Sequence, residues 1–121
     1  MSEWDADCVY TVASLFALHP KVGGMGNFGA SCSVIRKDSA SAERRFVALL
    51  RSDRDRLGTH LRHAVSLLKA KDEPVDWLKL LRDIQMWEYL DGKIQWQWSR
   101  EFWREPAAEA EEGGGEQAAT A

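Results

Sequence analysis

Lys and Arg are missing from the first twenty positions of the chain, and across its 121 residues there are only two cysteines and three prolines. Both cysteines, Cys8 and Cys32, sit in apolar helical surroundings, where buried free thiols are expected rather than a disulfide or a metal pair. No stretch approaches the ~20 consecutive apolar residues that a membrane-spanning helix needs. The start, Met1-Ser2-Glu3-Trp4-Asp5, is acidic where a signal peptide has a basic region followed by an apolar one. A cytoplasmic location and no membrane partner are therefore expected. Runs of alternating β-branched residues and hairpin turns are absent too, as are a Gly-x-Ser-x-Gly sequence, a phosphate loop and a cysteine beside an activating partner. Nothing in this inventory carries catalysis, so the expectation is a non-enzyme with no cofactor and no small-molecule substrate.

What remains is helical spacing. Ser2 and Asp5 are placed for a capping box ahead of Cys8, Val9, Val12, Ala13, Leu15 and Phe16, which predicts a helix over residues 3–18 ended by His19-Pro20. Phe28, Cys32 and Ile35 predict a short second helix, and Phe46, Leu49 and Leu50 a third over residues 41–51. After a polar joint at residues 52–56, Leu57, Leu61, Val65 and Leu68 form the stripe of a fourth helix ending near Lys71. Asp76 is placed to cap a fifth, with Trp77, Leu80, Leu81, Ile84 and Trp87 on its buried face; beyond Gly92 come Ile94, Trp98 and Phe102 for a sixth. The chain is thus expected to be all-α, a compact bundle of about six helices. Residues 1–36 would form an N-terminal helical portion with a glycine-rich loop, 37–104 a C-terminal helical bundle, and 105–121, built from Ala, Glu and Gly with little else, a disordered acidic tail.

Charge is segregated along this framework. Residues 1–20 hold three acids and no Lys or Arg, residues 21–104 hold all 16 Lys and Arg against 11 acids, and the tail holds five acids and no base. A basic body between acidic ends points toward a polyanion. Six arginines, Arg44, Arg45, Arg51, Arg54, Arg56 and Arg62, fall within nineteen positions, and guanidinium forks onto phosphate oxygens; the interleaved Asp53 and Asp55 favour internal pairing instead. Gly24-Met25-Gly26-Asn27-Phe28-Gly29 spells G-x-G-x-x-G, but no strand precedes it to aim a helix at a pyrophosphate, so a connecting loop is expected, with Lys21 and the glycine amides free to touch a backbone. His60 and His63 have no second ligand pair for zinc. Asp53, Asp55, Asp72, Glu73 and Asp76 sit at helix starts and joints, as caps do. Of the six tryptophans, Trp77, Trp87 and Trp98 belong with core positions. Trp96 and Trp103, seven apart, share another face and suggest an interface, for protein ahead of nucleic acid.

Several segments, in order, resemble a known family: Val9-Tyr10-Thr11-Val12-Ala13-Ser14-Leu15-Phe16-Ala17-Leu18-His19-Pro20, Asn27-Phe28-Gly29, Glu43-Arg44-Arg45-Phe46 with Leu49-Leu50-Arg51-Ser52-Asp53-Arg54, His60-Leu61-Arg62, Val75-Asp76-Trp77 with Leu80-Leu81-Arg82-Asp83, and Trp98-Ser99-Arg100-Glu101-Phe102-Trp103. They look like the CasB-type small subunit of the type I-E CRISPR Cascade complex, over about residues 5–104. The resemblance implies a non-catalytic subunit that binds nucleic acid without sequence preference and stabilises the guide-target R-loop while base pairing supplies specificity. It implies as partners the other Cascade subunits, a second copy of the chain, and the guide RNA and target DNA backbone. It also implies nucleic-acid-binding roles for Arg44, Arg45, Arg51, Arg54 and Arg62, with Lys93 a further candidate. Members of that family usually begin with additional N-terminal helices, so a shortened form, an incomplete gene reading or a fragment is expected here. Residues 29–34 lack an arginine that relatives often carry, with some loss of affinity expected. The alternative reading is a helical protein-protein adaptor with solvated arginines and no nucleic-acid contact.

Overall fold

A computed structural model describes residues 2–38 and 40–104. Six α-helices form among the described residues: α1 (Glu3–Leu18), α2 (Phe28–Ser33), α3 (Ala40–Leu50), α4 (Arg54–Ala70), α5 (Trp77–Gln85) and α6 (Lys93–Phe102), with a short 3-10 turn, Leu90–Gly92, ahead of α6. No strand occurs among them. The expected acidic tail, residues 105–121, lies outside the described residues.

Helix starts follow local chemistry. The Ser2 hydroxyl accepts the Asp5 N–H at 3.0 Å while Ser2 N–H donates to the Asp5 carboxylate at 3.2 Å, closing the reciprocal pair that satisfies two orphan donors of α1. Asn27 caps α2, Asp53 caps α4 and Asp76 caps α5, each through its side-chain oxygen. Because Asp53 accepts the Arg56 N–H at 3.1 Å, α4 begins at Arg54 rather than at the first apolar residue, Leu57. The chain turns at the far end of α4 through Asp72 (φ 56°) and before α6 through Asp91 (φ 50°) and Gly92 (φ 79°).

One continuous core draws on every helix, with Leu49, Leu61, Val65, Leu68, Trp98 and Phe102 fully enclosed. Helix α1 packs on α5 and α4, α3 on α4, and α2 on α6. Gly29 lets α2 lie against the α6 backbone: a Cβ there would overlap the Trp98 carbonyl. Phe46 stacks on Phe102 with ring centroids 3.9 Å apart, joining α3 to the end of α6.

Four indoles act as ties between distant elements. Trp4 Nε1 donates to the Ile84 carbonyl, Trp77 to Lys21, Trp87 to Ser52, and Trp98 to the buried Asp83 carboxylate at 2.8 Å. Trp77, Trp87 and Trp98 bury a large apolar ring and Trp4 part of one, while the single polar atom of each is satisfied. Trp87 is in the core as expected but not on the fifth helix, which ends at Gln85 with Met86 as its cap; the ring enters from the following turn. The glycine-rich loop is pinned rather than free. Lys21 O accepts from Trp77 Nε1 at 2.9 Å and Lys21 Nζ pairs with Asp72 at 2.6 Å, while a Cβ at Gly24 would come within 2.7 Å of the Val75 and Asp76 backbone. The hydrogen bond from Lys21 holds the Asp72 carboxyl below the usual carboxylate range.

Candidate nucleic-acid interface

Helix α3 buries Ala42, Phe46 and Leu49, and that spacing leaves Glu43, Arg44 and Arg45 exposed on its outer side. Arg44 and Arg45 face α4 across a groove of about 250 Å³ whose other walls are Ser41, Ala48, His60 and His63. None of these six residues is an acid. Arg45 Nη1 lies 2.9 Å from His63 Nδ1, tying the outer side of α3 to α4. The His60 ring meets His63 edge-on at 6.4 Å. On the other flank of α3 a second concavity, about 500 Å³, is lined by Arg44, Arg51, Ala48, Val47, Ala40 and Glu43. Arg44, Ala48 and Arg51 follow the i, i+4, i+7 spacing of one helix face. The small Ala48 between the two arginines leaves both heads open to a ligand. Neither Arg44 nor Arg51 forms an ion pair among the described residues.

Arg54 and Arg62 lie elsewhere, on the opposite flank of α4 and eight residues apart, along an open groove of about 860 Å³ between α1 and α4. Its lining includes Glu3, Asp7 and Asp55, so this groove, unlike the first, carries acids alongside its arginines. Arg54 is already engaged. Its guanidinium lies 4.7 Å from the Trp4 ring centroid and 5.6 Å from that of Tyr89, and its Nε stands 3.3 Å from Glu88. Arg62 is exposed and forms no ion pair among the described residues. Lys93 opens α6, exposed, and lines none of these three grooves. The structure thus brings Arg44, Arg45 and Arg51 together on α3, separates Arg54 and Arg62 from them across α4, and sets Lys93 apart.

The remaining candidates resolve into structural parts. Asp53 and Asp76 are caps and Asp72 is the partner of Lys21. Burial raises the Glu73 carboxyl, whose backbone carbonyl lies 2.6 Å from the buried His19 ring. Among the described residues no group of three His, Cys, Asp or Glu is placed to hold a metal. Cys8 and Cys32 are free and buried; desolvation pushes the Cys8 thiol up to about 11 and that of Cys32 higher still. No helix among the described residues is long and apolar enough to cross a membrane. Trp77, Trp87 and Trp98 are buried, whereas Trp96 is 59% exposed and Trp103 38%. Trp103 is nonetheless partly committed, meeting Phe46 and Phe102 edge-on at 5.8 and 4.7 Å. Sequence spacing alone missed the Arg45–His63 contact, which joins residues eighteen apart on different helices, and the Arg100 guanidinium 5.5 Å over Trp96. The latter had a readable signal in its i, i+4 spacing.

Known proteins share this arrangement. The family profile described as CRISPR-associated protein Cse2 matches residues 1–103. A CRISPR-associated protein Cse2 of Thermus thermophilus is 36% identical over 103 residues, 84% of this chain and 59% of that protein. The crystal structure of a Cse2-family CRISPR-associated protein from the same species superposes with a TM-score of 0.75 at 33% identity, covering 84% of this chain and 64% of that one. That of M. ruber CasB gives 0.73 at 28% identity, over 84% and 65%. The chain therefore spans somewhat less than two thirds of these relatives' length. With nearly all of its described residues inside the matched region, the chain belongs to the Cse2 family of CRISPR-associated proteins.

Proposed function

We propose that the chain serves as a non-catalytic subunit of a CRISPR RNA-guided complex of the type I-E Cascade kind, alongside the other Cascade subunits and a second copy of itself. In that role it holds the guide RNA and target DNA backbone without sequence preference and so stabilises the R-loop, while base pairing reads the sequence. The observation that carries this reading is the outer side of α3. There Arg44 and Arg45 share an acid-free groove with His60 and His63, and Arg51 extends the same helix face. Phosphate oxygens suit such a surface, because guanidinium offers two parallel donors and gives up its weak hydration readily. Family membership supports the setting in a CRISPR complex.

The other arginines take different parts. Arg62, exposed and free of ion pairs among the described residues, extends the basic surface over the crest of α4. Arg54 holds Trp4, Tyr89 and Glu88 together at the junction of α1, α4 and the α5–α6 connection, and reaches a nucleic-acid strand only by giving up those neighbours.

The test is DNA retention by the assembled complex across a salt titration. Replacing both Arg44 and Arg45 by Ala should leave assembly intact and lower the slope of log affinity against log salt by about two, roughly one for each phosphate no longer neutralised. A double variant whose slope and affinity equal the parent's overturns the assignment. A protein adaptor with solvated arginines would give that result.

A further inference from the structure

The exposed face of α6 interleaves cations with an indole. Lys93, Trp96 and Arg100 follow one another at i, i+3 and i+7 and are all exposed, Trp96 to 59%; that spacing puts them on one side of the helix. The Arg100 guanidinium lies 5.5 Å from the Trp96 ring centroid. Beside this face, across an open groove of about 390 Å³, Lys79 stands with Arg100, Gln97 and Asn27. The acid on that groove, Glu101, is taken by Arg104 at 2.8 Å. None of these residues belongs to the α3 edge.

We infer that this face is a second nucleic-acid site, specific for single strands: Trp96 offers its ring to an unstacked base while Lys93 and Arg100 take the flanking phosphates, Lys79 beside them being paired with Asp83 at 3.5 Å. The inference rests on the reading of the chain as a nucleic-acid-binding subunit and adds a site and a strand preference to it. Two features argue for nucleic acid over a protein surface. The cations one turn to either side of Trp96, Lys93 and Arg100, form no ion pair among the described residues, which complements a polyanion. An indole with a cation held against it is also the pairing that single-strand binders use, since every base has a π face and stacking is indifferent to sequence. Duplex DNA keeps its bases stacked internally and cannot offer one to Trp96.

The full chain, titrated at low ionic strength with a twelve-residue oligothymidylate, should show quenching of tryptophan fluorescence and bind that strand more tightly than a duplex of equal length. Trp96→Leu should abolish most of the quenching and weaken the oligothymidylate about tenfold, the loss of one stacked base. Trp96→Phe, which keeps a π face, should stay within about threefold of the parent. Because Trp96 faces solvent, circular dichroism and melting temperature should not move. No quenching, equal affinity for duplex, or a Trp96→Leu variant that binds like the parent each overturns the site. An equal loss in Trp96→Phe and Trp96→Leu overturns stacking as its basis. The Arg44→Ala/Arg45→Ala variant keeps the two readings apart. It should keep the oligothymidylate quenching while lowering the salt slope of the assembled complex, so a normal slope with the quenching intact overturns the α3 edge alone, and a Trp96→Leu variant that quenches like the parent overturns the α6 site alone.

Discussion

Asp83 is a buried carboxylate, 5% exposed, and its oxygens are matched to two donors: Trp98 Nε1–H at 2.8 Å and Lys79 Nζ at 3.5 Å. Removing the acceptor strands the indole N–H of a fully enclosed tryptophan. Asp83→Ala should therefore cost about 1–3 kcal/mol, the desolvation penalty of an orphaned donor. For a domain of this size each kcal/mol moves the melting temperature by roughly 4–8 °C, so a thermal scan reads the loss directly, and Asp83→Asn, which keeps an oxygen acceptor, should lose less. The two thiols give a second check at this scale. With the Cys8 thiol raised to about 11 and Cys32 raised further by burial, the thiolate is scarce at mildly alkaline pH. Only the thiolate attacks a disulfide reagent. The native protein should react with neither cysteine under conditions that label both once it is denatured; rapid native labelling of Cys32 would contradict its enclosure.

Among the elements, those most legible in sequence were the ones whose ends carry their own chemistry. Ser2 with Asp5, Pro20 after His19, and Asp76 before Trp77 mark boundaries that local hydrogen bonds or ring sterics enforce, and α1 and α5 begin where these residues place them. Apolar spacing identified the buried faces of α4 and α6, because a core residue recurs every three or four positions regardless of what it packs against. Spacing failed where a side chain reaches the core from outside a helix. Trp87 matched the α5 stripe in register yet belongs to the turn after it, held by the Ser52 carbonyl thirty-five residues away. The arginine cluster was legible as composition but not as geometry. Arg45 and Arg54 are nine residues apart in sequence, yet α4 separates their grooves, and only the packed pair of helices decides that one meets imidazoles and the other carboxylates. Gly29 tests the closest packing between elements. Its Cβ would strike the Trp98 carbonyl, which is backbone and cannot rotate away. Gly29→Ala should separate α2 from α6 and destabilise toward the upper end of the ~1–3 kcal/mol typical of overpacking, seen as a lowered denaturation midpoint with the helical signal retained below it.

Over the whole molecule, charge is distributed so that each end opposes the middle. The first twenty residues carry three acids and no Lys or Arg, and residues 105–121 carry five acids and no base. The 16 cations lie between them, and Arg44, Arg45, Arg51, Lys93 and Arg100 are exposed. Five acids in that last segment of the same chain lower the net positive charge that a polyanion meets, and with it the electrostatic pull on phosphate. Ending the chain at Arg104 removes the five acids of that segment from a protein of net charge −3 and leaves all of the described core in place. The truncated chain should bind single-stranded oligonucleotide more tightly at about 20 mM salt, by about threefold or more, since charges separated by tens of ångströms still interact there. The advantage should vanish near ~1 M salt, where the screening length falls to about 3 Å. A gain that persists undiminished at high salt would rule out an electrostatic origin, and equal affinity of the two chains at low salt would show that these five charges do not govern binding.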